Sequence, residues 1–223
     1  MLALTLTSAD VFTQQRPKGC TQLMTEDENI TSVDLNIDDL TKNYATLYAA
    51  VDTEDEMGCV LRFHLMVENL LVFYLKQKCQ GEVAVYAKVQ REFGQKLGLA
   101  AAFGLPLPIA AVIHQVNAMR NKLAHGAKTA IDPGDVQQLT RLVNKMSQLD
   151  PHLLSPEEVS LESVLKTPGK KMKYGKEGAR VDFLIAGLAF LGSATKVLIK
   201  DAALAKIAQT SSPPPPQRYP SKF

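Results

Sequence analysis

Residues 53–81 read TEDEMGCVLRFHLMVENLLVFYLKQKCQG, and this stretch decides the fold. Val60, Phe63, Val67, Leu71 and Tyr74 recur at the three- and four-residue spacing of one helix face. Leu61, Leu65, Val72 and Leu75 make a second apolar stripe. A helix that is apolar over much of its circumference belongs inside a bundle rather than on its surface. Thr53, with Glu56 three residues later, has the spacing of a capping box, and Gly81 suits a helix stop. The predicted helix therefore runs from about residue 53 to 80.

Working outward, the neighbouring segments also read as helices. Asp34 or Asn36 caps a predicted helix over 37–51, with Leu40, Tyr44, Leu47 and Tyr48 inward. Val85, Val89 and Phe93 mark another over 82–97, and Leu99 to Phe103 suggest one short turn more. Pro108 and Gly126 bracket a further helix. Asp132 or Asp135 starts one that ends near Leu149, before Pro151. Ser155-Pro-Glu-Glu158 opens a short predicted helix to Leu165. A last helix covers 181–208, weakened in its middle by Gly187 and Gly192. No strand is needed, so the predicted fold class is all-α, an antiparallel helical bundle.

The domain organisation follows. Residues 1–33 read as a flexible arm, 34–165 as the bundle and 166–180 as a flexible basic linker. Residues 181–209 form the C-terminal helix, and 210–223, containing Pro213 to Pro216, a disordered tail.

The chain has 223 residues, 46% hydrophobic and 22% charged, which argues against disorder throughout. Cys20, Cys59 and Cys79 form no pair motif and fit a reducing compartment. Met1 to Thr7 lack the basic start and the length of a secretory signal. The most apolar run, Phe183 to Thr195, has 13 residues, short of the roughly 20 that a bilayer span needs. The expectation is a soluble cytoplasmic protein, without a membrane partner. Residues 1–56 carry 11 acids and 3 bases, whereas 57–223 carry 12 acids and 22 bases. An acidic front and a basic body are compatible with nucleic-acid binding. Lys170, Lys171, Lys173, Lys176 and Arg180 are the candidate nucleic-acid contacts, with a solvated loop as the plainer alternative.

There is no phosphate-binding loop, dinucleotide fingerprint, zinc spacing or serine-elbow motif. His64, His114, His125 and His152 do not make an obvious metal set. Neither a metal nor a cofactor is expected.

One stretch carries chemistry. On the helix ending at Gly126, Val112, Val116, Met119 and Leu123 form an apolar stripe. His114, Asn121 and His125 fall almost opposite. Asn121 and His125 are one turn apart. Arg120 points nearer the apolar side, about 140° from His125, so the two meet only if the arginine reaches around or across a two-fold interface. A plain polar face with a histidine at the helix end is the ordinary alternative. On the preceding core helix, Glu68 lies among Leu61, Leu65, Val72 and Leu75, where a free carboxylate is costly. Arg120 is its natural predicted partner, either as a structural ion pair or as an arginine fixed for phosphate binding.

Arg120-Asn121-Lys122-Leu123-Ala124-His125 resembles the arginine, four residues, histidine motif of the HEPN superfamily. Gly58-Cys59-Val60-Leu61 through Glu68-Asn69-Leu70-Leu71, then Phe93, Gln95-Lys96-Leu97 and Ala100 to Leu105, resemble its mannitol operon repressor (MltR-like) branch. The resemblance covers roughly 57–126. It implies a HEPN-like bundle, a homodimer with a shared cleft, and a metal-independent endoribonuclease, as a toxin or defence effector. It also implies the site: His125 as general acid/base, Arg120 on the transition-state phosphate and Asn121 as a positioning group; Glu68 joins the candidate catalytic set as the carboxylate that fixes the arginine. RNA is the implied substrate, and an antitoxin or regulatory protein the implied partner. The MltR-like branch implies the alternative of a noncatalytic transcriptional regulator or protein-binding adaptor. No helix pair has the turn and exposed polar face of a helix-turn-helix, so DNA binding is not evident. A nucleic-acid-binding bundle without turnover is the third reading.

Overall fold

The computed structural model describes residues 50, 53–79, 92–126, 130–162 and 169–211. Five α-helices are described in full: α1 Glu56–Lys78, α2 Phe93–Ala102, α3 Leu107–Ala124, α4 Pro133–Asn144 and α5 Ala179–Ser211. The arm at 1–33, most of the helix expected over 37–51, residues 82–91 and the tail beyond Ser211 lie outside the described residues.

The helices start where local hydrogen bonding favours them, though not always at the expected residue. Asp55, rather than Thr53, caps α1, its side chain accepting from the Gly58 amide at 2.8 Å. Thr53 instead donates to the Ala50 carbonyl. Glu56 does not complete a capping box. Its carboxylate accepts from the Ile131 amide at 2.5 Å and ties the start of α1 to the approach to α4. Of the two candidate aspartates, Asp132 caps α4, accepting from the amides of Gly134 and Asp135. Helix α2 runs through Gly98 to Ala102, so the separate turn expected over 99–103 is its continuation.

Helix α1 runs antiparallel to α3. Glu56 meets Ile131 beyond the end of α3, His64 meets Asn117 near its middle, and Tyr74 meets Phe103 before its start. Helix α5 is the centre of the bundle: every residue from Phe183 to Leu191 is buried. Phe63 of α1 packs edge-on against Phe183 and Phe190, with centroids 5.3 and 6.5 Å away. Gly187 lies under that ring; a Cβ there would sit 2.9 Å from Phe63. Whatever this glycine costs in helix propensity, it leaves the room that the Phe63 ring occupies against α5.

Two expectations are corrected. The short helix to Leu165 is only a 3₁₀ turn, Pro156–Glu158, followed by strand β1, Ser160–Glu162. Within the stretch expected to be a flexible linker lies β2, Lys171–Lys173, paired antiparallel with β1. Met172 and Leu161 face each other in that register and are both buried. The described residues thus form a multi-helix bundle with one small two-stranded sheet.

The membrane argument also needs correction. Counted along whole helices, α1 and residues Ala179–Ala208 are each long and apolar enough to cross a bilayer. The uninterrupted run of 13 residues understates α5, because Asp182 and Lys196 interrupt its apolar length without ending it. In the bundle, 61% and 67% of the two apolar windows are buried against protein.

Candidate functional site

The sequence-predicted groups gather along the seam between α1 and α3, but not with the expected partners. Arg120 is half-buried on α3. Its Nη1 donates to the side-chain oxygen of Asn121 at 3.0 Å. Its Nε is buried and has no hydrogen-bond partner. An unpaired buried donor is costly, and among the described residues Arg62 Nη1 of α1 is another such atom.

His125 is the C-terminal cap of α3 and is exposed, its backbone amide donating to the Asn121 carbonyl. Gly126 follows at φ 68°, the left-handed conformation that ends a helix. Among the described residues, no hydrogen bond or ion pair joins Arg120 to His125. The angular separation of the two side chains on α3 is the physical reason.

Glu68 does not pair with Arg120. Its carboxylate takes the ammonium of Lys96, on α2, at 2.5 Å. Lys96 is itself buried, so the pair neutralises two charges that neither helix could bury alone. Glu68 is thereby committed to the α1–α2 junction, and Arg120 keeps no carboxylate partner among the described residues.

The residue that sequence reasoning missed is His64. It is 7% exposed, one helical turn before Glu68. Its Nε2 donates to the side-chain oxygen of Asn117 at 3.2 Å, and its ring lies on Phe93, centroids 4.2 Å apart. Burial holds the imidazole below its ordinary pKa, opposed by the Asn117 bond; the Arg120 charge lowers it further and Glu68 raises it. The available signal was its four-residue spacing from Glu68, which places both on one face of α1.

The residues of the basic run have different surroundings. Lys170 pairs with Glu177 at 2.8 Å. Lys171 stands opposite Glu162 in the β-ladder, and Lys173 opposite Ser160. Arg180 points back to donate to the Ala50 carbonyl at 3.2 Å. Of the five candidate contacts, Lys171, Lys173 and Lys176 remain exposed and outside any described ion pair. A groove of about 220 Å³ lies nearby, lined in part by Pro133, Gln137, Tyr174 and Asp182, and includes none of the seam residues. Among the described residues, no three His, Cys, Asp or Glu side chains converge as a metal-holding group.

The outer side of the seam is apolar. Met57, Leu61 and Leu65 recur every four residues on α1 and are 41%, 38% and 56% exposed. No family model, curated protein or solved structure matches the chain.

Proposed function

We propose that the chain is a metal-independent endoribonuclease of the HEPN type, a toxin or defence effector acting on RNA in the cytoplasm. The single observation that carries this reading is the state of Arg120. Had Glu68 held it, the arginine would be spent on an internal ion pair. With Glu68 on Lys96, the guanidinium bonds to Asn121 and, among the described residues, keeps a buried, unpartnered Nε. A guanidinium fork without an internal carboxylate suits a phosphodiester.

In this reading the RNA 2′-hydroxyl attacks the adjacent phosphorus as His125 takes its proton. Arg120 meets the charge on the phosphoryl oxygens, and Asn121 positions Arg120 and the scissile group. The bond to the 5′-oxygen breaks, that oxygen takes a proton from water, and His125 returns its own proton to solvent. The products are a 2′,3′-cyclic phosphate and a 5′-hydroxyl. DNA lacks the nucleophile and survives. Because His125 and Arg120 are not joined within one chain, a homodimer that faces two α3 helices across a two-fold axis completes the site.

The test is cleavage of single-stranded and structured RNA in EDTA by the wild type, His125→Ala and Arg120→Ala, with product-end analysis. Cyclic-phosphate ends from the wild type alone support the reading. Equal cleavage by the folded variants, or none by the wild type, sinks it. The exposed ridge of Met57, Leu61 and Leu65 favours the second reading, a noncatalytic MltR-like regulator or protein-binding adaptor. That reading predicts a specific protein or DNA complex without RNA turnover.

A further inference from the structure

We propose that His64 is a positioning residue for Arg120, acting through Asn117 on the stretch of α3 that carries the guanidinium. This deepens the nuclease reading and rests on it for its catalytic consequence. The contact itself rests on geometry alone.

The two asparagines of α3 have parallel tasks. Asn117 accepts from His64 on α1, and Asn121, one turn later, accepts from Arg120. The first bond fixes α3 against α1, and the second fixes the guanidinium against α3. Phe93 closes the other side of the imidazole, so His64 is held by α2 and α3 together. A ring so enclosed has one orientation, and the stretch of α3 between Asn117 and Asn121 inherits it.

The Nε2–H donor is present in both protonation states, and burial favours the neutral ring. The charged groups that act on it are Glu68 from its own helix and Arg120 from α3; Lys96 from α2 is bound to Glu68. With Lys96 neutralising Glu68, a second positive charge on His64 would stand beside Arg120 without a free counter-charge. The neutral imidazole donates from Nε2 to Asn117 and leaves Arg120 the positive charge at the seam.

Two measurements on the full chain test this. In the first, the ring signals of His64 are followed by NMR against pH in the wild type and in Arg120→Gln. The wild-type midpoint lies below the ordinary histidine value, and removal of the neighbouring charge moves it upward. An identical midpoint in both proteins overturns the proposal. In the second, His64→Phe keeps the stack on Phe93 and deletes the donor to Asn117, whereas His64→Gln restores a donor. The expected loss in kcat for His64→Phe is about a hundredfold, with KM little changed, because misplacement of a group by about 1 Å costs that much. His64→Gln recovers part of the loss. An unchanged kcat in His64→Phe overturns the proposal. Should the wild type cleave no RNA, the nuclease reading fails, and the titration alone decides the link between His64 and Arg120.

Discussion

Lys96 of α2 holds the Glu68 carboxylate of α1 at 2.5 Å, one helical turn from His64. The lysine side chain is 10% exposed and the glutamate side chain 26%. The pair joins the two helices beside the His64–Phe93 stack, and it sets which cation is left over at the seam.

Breaking this pair from either side is therefore costly. Glu68→Ala leaves a nearly buried ammonium without its counter-charge, and Lys96→Ala leaves the carboxylate. Each is expected to lower stability by about 2 kcal/mol, measured by urea unfolding. The double replacement Glu68→Leu with Lys96→Met removes both charges and recovers most of that loss. A double variant as unstable as the sum of the single ones would contradict this account of the pair.

The buried imidazole gives a pH dependence with a definite sign. The folded state holds His64 below the ordinary value of 6.5, burial being the main cause. Below pH 6.5 the unfolded chain binds this proton first, so stability rises with pH across that window. The contribution is complete above pH 6.5 and is lost as pH falls through the folded-state value. Unfolding at pH 7.5 and pH 5 shows the difference. In His64→Gln this component of the pH slope disappears.

The two glycines of α5 respond in opposite directions. Gly192 is exposed, with nothing within 4 Å of an added Cβ. Gly192→Ala stabilises the chain by about 1 kcal/mol through helix propensity. Gly187→Ala has the same propensity gain but drives a methyl into the Phe63 ring, which Phe183 and Phe190 hold on both sides. Overpacking costs about 1–3 kcal/mol, so this variant melts lower. Thermal unfolding of the two variants side by side checks both signs.

Tyr74 carries an alkaline signature. Its hydroxyl donates to the Phe103 carbonyl at 2.8 Å, and burial, with a smaller effect from Asp201, pushes its pKa up to about 12. The unfolded chain releases this proton near pH 10. The contribution is thus whole below pH 10 and is lost as pH rises through about 12. Tyr74→Phe costs about 1 kcal/mol at neutral pH and removes this part of the alkaline loss in a pH series of urea unfolding.

Much of the bundle was legible because helix caps and apolar periodicity are local. Pro108 and Gly126 bracket α3, and Asp132 followed by Pro133 starts α4. The β-hairpin was not legible as such. Its strands have three residues each, and Met172 is the one apolar residue of its strand, between two lysines. Only the alternation Lys171-Met172-Lys173, facing Leu161 across the ladder, betrays it. Within the candidate site, Arg120, Asn121 and His125 stood out by spacing on one helix. The partner of Glu68 did not, because the register of α2 against α1 is a tertiary fact. Lys96 and Arg120 are equally plausible cations until that register is known. His64 escaped notice for the same reason: its partners, Phe93 and Asn117, come from two other helices.

Helix α5 follows every other described element in chain order, yet its buried stretch forms the middle of the core. A ribosome therefore delivers the shell before the centre. Until Phe183 and Phe190 emerge, Phe63 lacks these two ring partners, and the parts of α1 and α4 that meet α5 remain wet. The nascent bundle must wait, with its apolar surfaces uncovered, for contacts made across more than a hundred residues of chain. Its exposure to chaperones and to aggregation is thus set by the order of its helices rather than by their individual stability.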